Sequence, residues 1–183
     1  MKQVVLVLGL CSLIFLSCKK ESSDKEKFAA FISRIPQLPL PFGANSYKDL
    51  QSELSLDTIF KKYNDENASE IYGKVKINDS IYGVVYLLAG DNVFPKLVTY
   101  NAIGKKIAEL NMVNCPGGST GYNESGSSYM IMNRNFEIQI TDSVESFERD
   151  SLDEIMDSSR KLKIINERYF INFKGEILKI TSS

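Results

Sequence analysis

The chain has 183 residues, with 22 lysines and arginines against 23 aspartates and glutamates, and it contains no histidine. A near balance of charge argues against a nucleic-acid or anionic-lipid binder, which needs a basic excess. Without histidine no Ser-His-Asp or Cys-His centre can be built, and the usual zinc sites lose their commonest ligand; carboxylate chemistry, Ser/Lys chemistry and calcium binding survive that test.

The first element is a targeting segment. Met1 and Lys2 lead into Val4-Val5-Leu6-Val7-Leu8-Gly9-Leu10, and the apolar run closes on Phe15-Leu16-Ser17-Cys18. A charged start, a short apolar core and a small residue before the cleavage point make a secretory signal, and this order resembles that of bacterial lipoproteins, in which the cysteine thiol carries the lipid. The core from Gln3 to Leu16 is shorter than the roughly 20 residues that a spanning helix needs. The expected division is a cleaved signal peptide over 1–17, a lipidated Cys18 with a tether over 18–24, and a single β-rich domain over 25–183. Such a domain is long enough to bury roughly two thirds of its surface. Cys11 would leave with the signal and Cys18 would be lipidated, so Cys115 has no partner for a disulfide within one mature chain. With no histidine to activate it, Cys115 reads as a buried or loop thiol rather than a nucleophile.

After the tether, Phe28, Phe31, Ile32 and Ile35 are spaced i, i+3, i+4, i+7 and predict a helix. Pro36, Pro39 and Pro41 end it and force extended, polyproline-like geometry. Leu56, Ile59, Phe60 and Tyr63 predict a second short helix, with Ser55 as its cap. From Ser69 the period changes to two. Ile71, Gly73, Val75 and Ile77 alternate with Glu70, Tyr72, Lys74 and Lys76, and a turn at Asn78-Asp79-Ser80 sets Gly73 opposite Val85, Ile71 opposite Leu87, Lys76 opposite Tyr82 and Tyr72 opposite Tyr86. Asn101-Ala102-Ile103-Gly104 and Asn172-Phe173-Lys174-Gly175 each suit a type I turn followed by a left-handed glycine, joining strands at 96–100 and 105–113 and at 168–172 and 176–180. Strands are also predicted at 129–132 and 136–140. Two segments interrupt this pattern: a glycine-rich loop over 114–126, and a capping box Ser151-Leu152-Asp153-Glu154 that predicts a short helix running toward Arg160 and Lys161. The fold class is mainly β, an antiparallel meander in the form of a sheet, sandwich or partly closed barrel.

The chemistry-bearing motifs are few. The glycine-rich loop lacks the lysine of a phosphate-binding loop and contains no GxGxxG. Ser22-Ser23-Asp24-Lys25 and Ser158-Ser159-Arg160-Lys161 match Ser-x-x-Lys, but the companion elements of serine enzymes are missing. Seven acids between Asp142 and Asp157 face only Arg149, and their spacing matches no calcium loop, so a solvated charged face is the simpler reading. Tyr72, Tyr82 and Tyr86 with Lys74 and Lys76 are the best candidate ligand-facing surface, because a tyrosine row beside cations stacks on sugar rings or on a partner protein; the competing role for that face is to lie under the N-terminal helix. Tyr122, in the glycine-rich loop, joins the expected surface.

Four segments, Asp57-Thr58-Ile59, Asp79-Ser80-Ile81, Asp142-Ser143-Val144 and Asp150-Ser151-Leu152, resemble the O-glycosylation acceptor of Bacteroidota, which implies Thr58, Ser80, Ser143 and Ser151 as acceptors; turn and cap chemistry accounts for the same pattern. The organisation as a whole resembles the small lipoproteins of Bacteroidota, and Lys19 after the lipidated cysteine implies release to the outer membrane. The resulting expectation is a lipid-anchored envelope protein, attached to the membrane through Cys18, that binds a partner protein or glycan. It needs no catalytic residue, cofactor, metal or nucleic acid. The alternatives are a carboxylate-dependent hydrolase of envelope glycan, or an inhibitor or immunity-type protein acting through the loop 114–126.

Overall fold

The computed structural model describes residues 24–44, 62–63, 68–88, 94–113 and 118–181. Cys18, Cys115, Thr58 and nearly all of the second expected helix lie outside them. Helix α1 spans 24–34 and buries Phe28, Phe31 and Ile32, with Ile35 just past its end; this is the apolar stripe read from the spacing. Pro36 ends it, and the chain that follows lies along the next long strand. Leu38 N–H donates to the Lys74 carbonyl and Lys74 N–H to the Pro36 carbonyl, both at 2.8 Å.

Among the described residues ten strands follow: β1 (Phe42–Ala44), β2 (Ala68–Asn78), β3 (Ile81–Leu88), β4 (Phe94–Asn101), β5 (Lys106–Asn111), β6 (Gly118–Gly121), β7 (Glu124–Met132), β8 (Glu137–Arg149), β9 (Ile155–Ile171) and β10 (Ile177–Lys179). They form two antiparallel sheets. Sheet I has the order β2-β3-β4-β5, and sheet II the order β1-β7-β8-β9-β10 with β6 beside β7. Short turns between consecutive strands make both sheets meanders, as the sequence pattern predicts, and the sheets pack face to face in the manner of a sandwich.

Two apolar layers result. Val75, Val85, Leu87 and Leu97 from sheet I meet Met130, Met132, Ile138, Ile140 and Ile171 from sheet II. On the other face of sheet I, Val84, Tyr86, Val98 and Tyr100 meet Phe28, Phe31, Ile32 and Ile35. The period-two alternation of β3 and β4 therefore serves two cores at once, so Val84 to Leu87 are all buried although only alternate residues face sheet II.

The β2–β3 register is as expected at Gly73 opposite Val85 and Lys76 opposite Tyr82, but the turn has two residues, with Asn78 opposite Ile81. A bulge between Ile71 and Gly73 sets Ile71 opposite Tyr86 rather than Leu87. One extra residue exchanges the faces: Ile71 joins the helix-side core, and Tyr72 turns to the sheet II side, where its ring lies 5.6 Å from that of Phe42. Gly73 is required where the Leu38 side chain crosses the strand, since a Cβ there would come within 2.4 Å of it.

Four turns share one geometry. In Asn101–Lys105, Asn133–Glu137, Asp150–Glu154 and Asn172–Glu176 the first residue's N–H donates to the fifth carbonyl and the fourth N–H donates to the first carbonyl. The fourth residue has positive φ: Gly104 at 78°, Phe136 at 63°, Asp153 at 66° and Gly175 at 85°. The third of these turns overturns the short helix predicted from Ser151: residues 150–154 are a hairpin turn and β9 runs on from Ile155. The Asp150 carboxylate accepts from the N–H groups of Leu152 and Glu154 at 2.8 and 3.0 Å. An Asx turn and a helix N-cap use the same side-chain acceptor, so the local signal is shared. Pairing with β8 along most of its length decides in favour of the strand.

Candidate functional site

A cleft of about 420 Å³ opens between α1 and the exposed end of sheet I, lined by Lys25, Phe28, Ala29, Ile32, Ser33, Gln37, Lys74, Lys76, Asp79, Tyr82 and Ala102. Its apolar wall comes from Phe28, Ala29 and Ile32 of α1, of which Phe28 and Ile32 also pack on the sheet. Its polar groups come from the outward residues of β2 and β3, where Lys76 stands opposite Tyr82. The Lys74 amine reaches across the cleft to donate to the Ile32 carbonyl at 2.6 Å, and burial holds it below lysine's ordinary value. Lys76 pairs with Asp79 at 2.7 Å, and that hydrogen bond, above all other contributions, raises the amine and lowers the carboxyl. An apolar wall, a half-buried tyrosine and several ammonium groups make a surface that stacks a ring and answers carboxylates or hydroxyls.

The five expected surface residues fall into separate settings. Tyr82 and Lys74 line the cleft. Tyr86 is wholly buried under α1, its hydroxyl donating to the Tyr63 carbonyl at 2.6 Å and lying 2.9 Å from the Tyr100 hydroxyl. Tyr72 is on the opposite face of the sheet because of the bulge. Among the described residues of that face Tyr86 is covered by the helix, while Tyr82 is half-buried beside the exposed Lys76. Lys25, Ser33, Gln37, Asp79 and Ala102 are lining residues that the sequence pattern does not assign to this surface. The first two carry a legible signal, since Lys25, Ala29, Ile32 and Ser33 follow one flank of the helix at spacings of three and four.

Tyr122 sits at the far end of sheet II and is 68% exposed. The glycine-rich segment is not one long loop: residues 118–132 form the β6–β7 hairpin with a turn at Tyr122-Asn123. The Arg149 guanidinium stacks over the Tyr122 ring at 5.0 Å and the Phe147 ring at 5.5 Å, donates to the Tyr122 carbonyl at 3.1 Å and to the Asp153 carbonyl at 2.8 Å. The Tyr122 hydroxyl bonds Asp153. Two hairpin tips are thereby tied together.

The chain matches no family model, no curated protein and no solved structure.

The acids between Asp142 and Asp157 serve separate ends. Asp142 is buried and accepts from Ser128, Glu145 and Asp157 pair with Arg160, Asp150 closes a turn, and Asp153 holds Tyr122. No group of three His, Cys, Asp or Glu side chains among the described residues is placed to hold a metal ion. Of the serines implied as glycan acceptors, Ser80 and Ser151 are exposed in turns and Ser143 is half-buried on the outer face of sheet II.

Proposed function

We propose that this is a lipid-anchored envelope protein, held at the outer membrane through Cys18, whose β domain binds a partner protein or glycan without catalysing a reaction. The observation that carries the binding role is the cleft between α1 and sheet I, where Tyr82 stands beside Lys74 and Lys76 against an apolar helix flank. Such a wall favours a ligand with a flat or apolar body and acidic or hydroxylated edges. The lipid anchor rests on the order of residues up to Cys18, several acyl chains there contributing about 0.8 kcal/mol per buried methylene.

Two measurements test the two halves of this reading. Cys18→Ser is expected to abolish incorporation of labelled fatty acid and to release the protein from membranes; label retained in that variant would remove the anchor. Tyr82→Ala is expected to lower crosslinking in cells from a photoactivatable residue at Ala102 by about tenfold, the loss typical of an aromatic contact residue, with little change in melting because Tyr82 is only half-buried. Undiminished crosslinking in Tyr82→Ala and in Lys74→Met would rule out the cleft. A single Asp or Glu substitution that ended function while leaving fold and crosslinking intact would favour the glycan hydrolase instead.

A further inference from the structure

Among the described residues sheet II has an open side, independent of the cleft. β9 pairs with β8 along one edge, while β10 covers the other only from Tyr169 to Ile171, with one more bond from Ile180 N–H to the Arg168 carbonyl. Ile171 N–H donates toward β8, to the Phe136 carbonyl, so in this antiparallel ladder the odd residues of β9 bond inward and the even ones outward. Leu162, Ile164 and Asn166 therefore aim their N–H and C=O groups away from the sheet, and no described strand meets them. An unpaired edge of this kind is a template for another strand.

The side chains along that edge define what fits. Leu162 and Ile164 project from the outer face of the sheet, 67% and 49% exposed. Lys161 and Lys163 project from the opposite face, are exposed, and make no ion pair among the described residues. The other cations nearby are already engaged: Arg160 holds Glu145 and Asp157, and Arg168 donates to Glu137 at 2.7 Å. What stays unanswered is one apolar pair and one cationic pair on alternate faces. We propose that the β9 edge from Leu162 to Asn166 takes up an extended segment of a partner protein in which acidic residues alternate with apolar ones. Main-chain bonds to the three outward residues supply affinity, and the alternation supplies specificity. Directly opposite residues in such a pairing lie close enough for acids to meet Lys161 and Lys163 while apolar side chains cover Leu162 and Ile164. A second copy fits less well. Antiparallel pairing about Ile164 would set each Lys163 against Ile165, and the acid next in that register, Glu167, is already bound by Lys179 and Tyr169.

The test uses the full chain in detergent and fluorescence anisotropy with two short labelled peptides, one alternating glutamate with valine and one alternating lysine with valine. The glutamate peptide is expected to bind saturably and the lysine peptide not to bind. Ile164→Pro removes an N–H that no ladder bond uses and is expected to weaken binding by about tenfold, with an unchanged far-ultraviolet spectrum. The double variant Lys161→Glu, Lys163→Glu changes only exposed side chains and is expected to reverse the preference, whereas Tyr82→Ala leaves it unaltered. Absence of glutamate-peptide binding, equal binding of both peptides, or a preference that survives the charge reversal would overturn the proposal. A concentration-dependent dimer that Ile164→Pro dissociates, with neither peptide bound, would assign the edge to a second copy instead.

Discussion

Gly104→Val is expected to destabilise the protein by about 3 kcal/mol or more, the sum of two separate costs. Gly104 has φ of 78°, a region that a β-branched residue enters only with strain of about 1–3 kcal/mol. It also packs beneath the helix-side core: a Cβ there would lie 2.6 Å from the Tyr63 ring and 2.8 Å from Phe28. Both rings belong to buried side chains, so relief requires moving the core, at a further cost of about 1–3 kcal/mol. A denaturant titration should show a lower midpoint with the slope little changed. Gly175→Val should behave alike, with φ of 85° and Ile107 and Ile81 within 3 Å of the new Cβ. Gly121→Val is the control, since nothing lies within 4 Å of its Cβ position. If Gly104→Val and Gly121→Val unfolded at the same midpoint, the packing of α1 against this turn would be misassigned.

Phe31→Ala should cost about 3–5 kcal/mol, the range for deleting a fully buried aromatic side chain. Phe31 is inaccessible to solvent, and its ring lies 4.9 Å from that of Tyr63 and 5.8 Å from that of Phe28. Because α1 makes no other layer than this one, the loss should fall on its docking. Amide exchange should then accelerate in α1 before it does in β8, whose core lies between the sheets. A loss below about 1 kcal/mol, or exchange that rises equally in both sheets, would mean that α1 is not held by this face. The same variant should also abolish crosslinking at the cleft, since α1 forms one of its walls.

The residues that were read correctly are those whose partners are near in sequence. The stripe from Phe28 to Ile35 lies on one helix, and the glycines of 101–104 and 172–175 meet a requirement set within their own turns. The same turn geometry went unseen at Asn133–Glu137 and Asp150–Glu154, because Phe136 and Asp153 occupy the positive-φ position and neither residue announces it as glycine does. At Ser151 the local signal was ambiguous, and a run of acids followed by bases matched a helix dipole as well as it matched a charged hairpin tip. The cleft is half legible: period-two alternation puts Tyr82 and Lys74 on one face, but nothing local shows that Tyr86 lies under the helix.

What the chain's own residue order determines is the class of structure: an amphipathic helix at Phe28–Ile35, a proline stop, then strands of period two in meanders, because periodicity and turn chemistry act over a few residues and need no distant partner. What only the tertiary structure decides is which face each strand gives to which neighbour. A single bulge at Tyr72 moves that ring to the sheet II side and sends Ile71 beneath the helix. β9 is a strand because β8 offers it a ladder of bonds along most of its length, and hydrogen bonds across the sheet outweigh a weak local helix signal. The cleft and the open β9 edge exist for the same reason. Each is defined by where distant elements lie beside one another, α1 alongside Tyr82 and β10 beside β9 only near its end, and that is a relation between distant residues that no local pattern records.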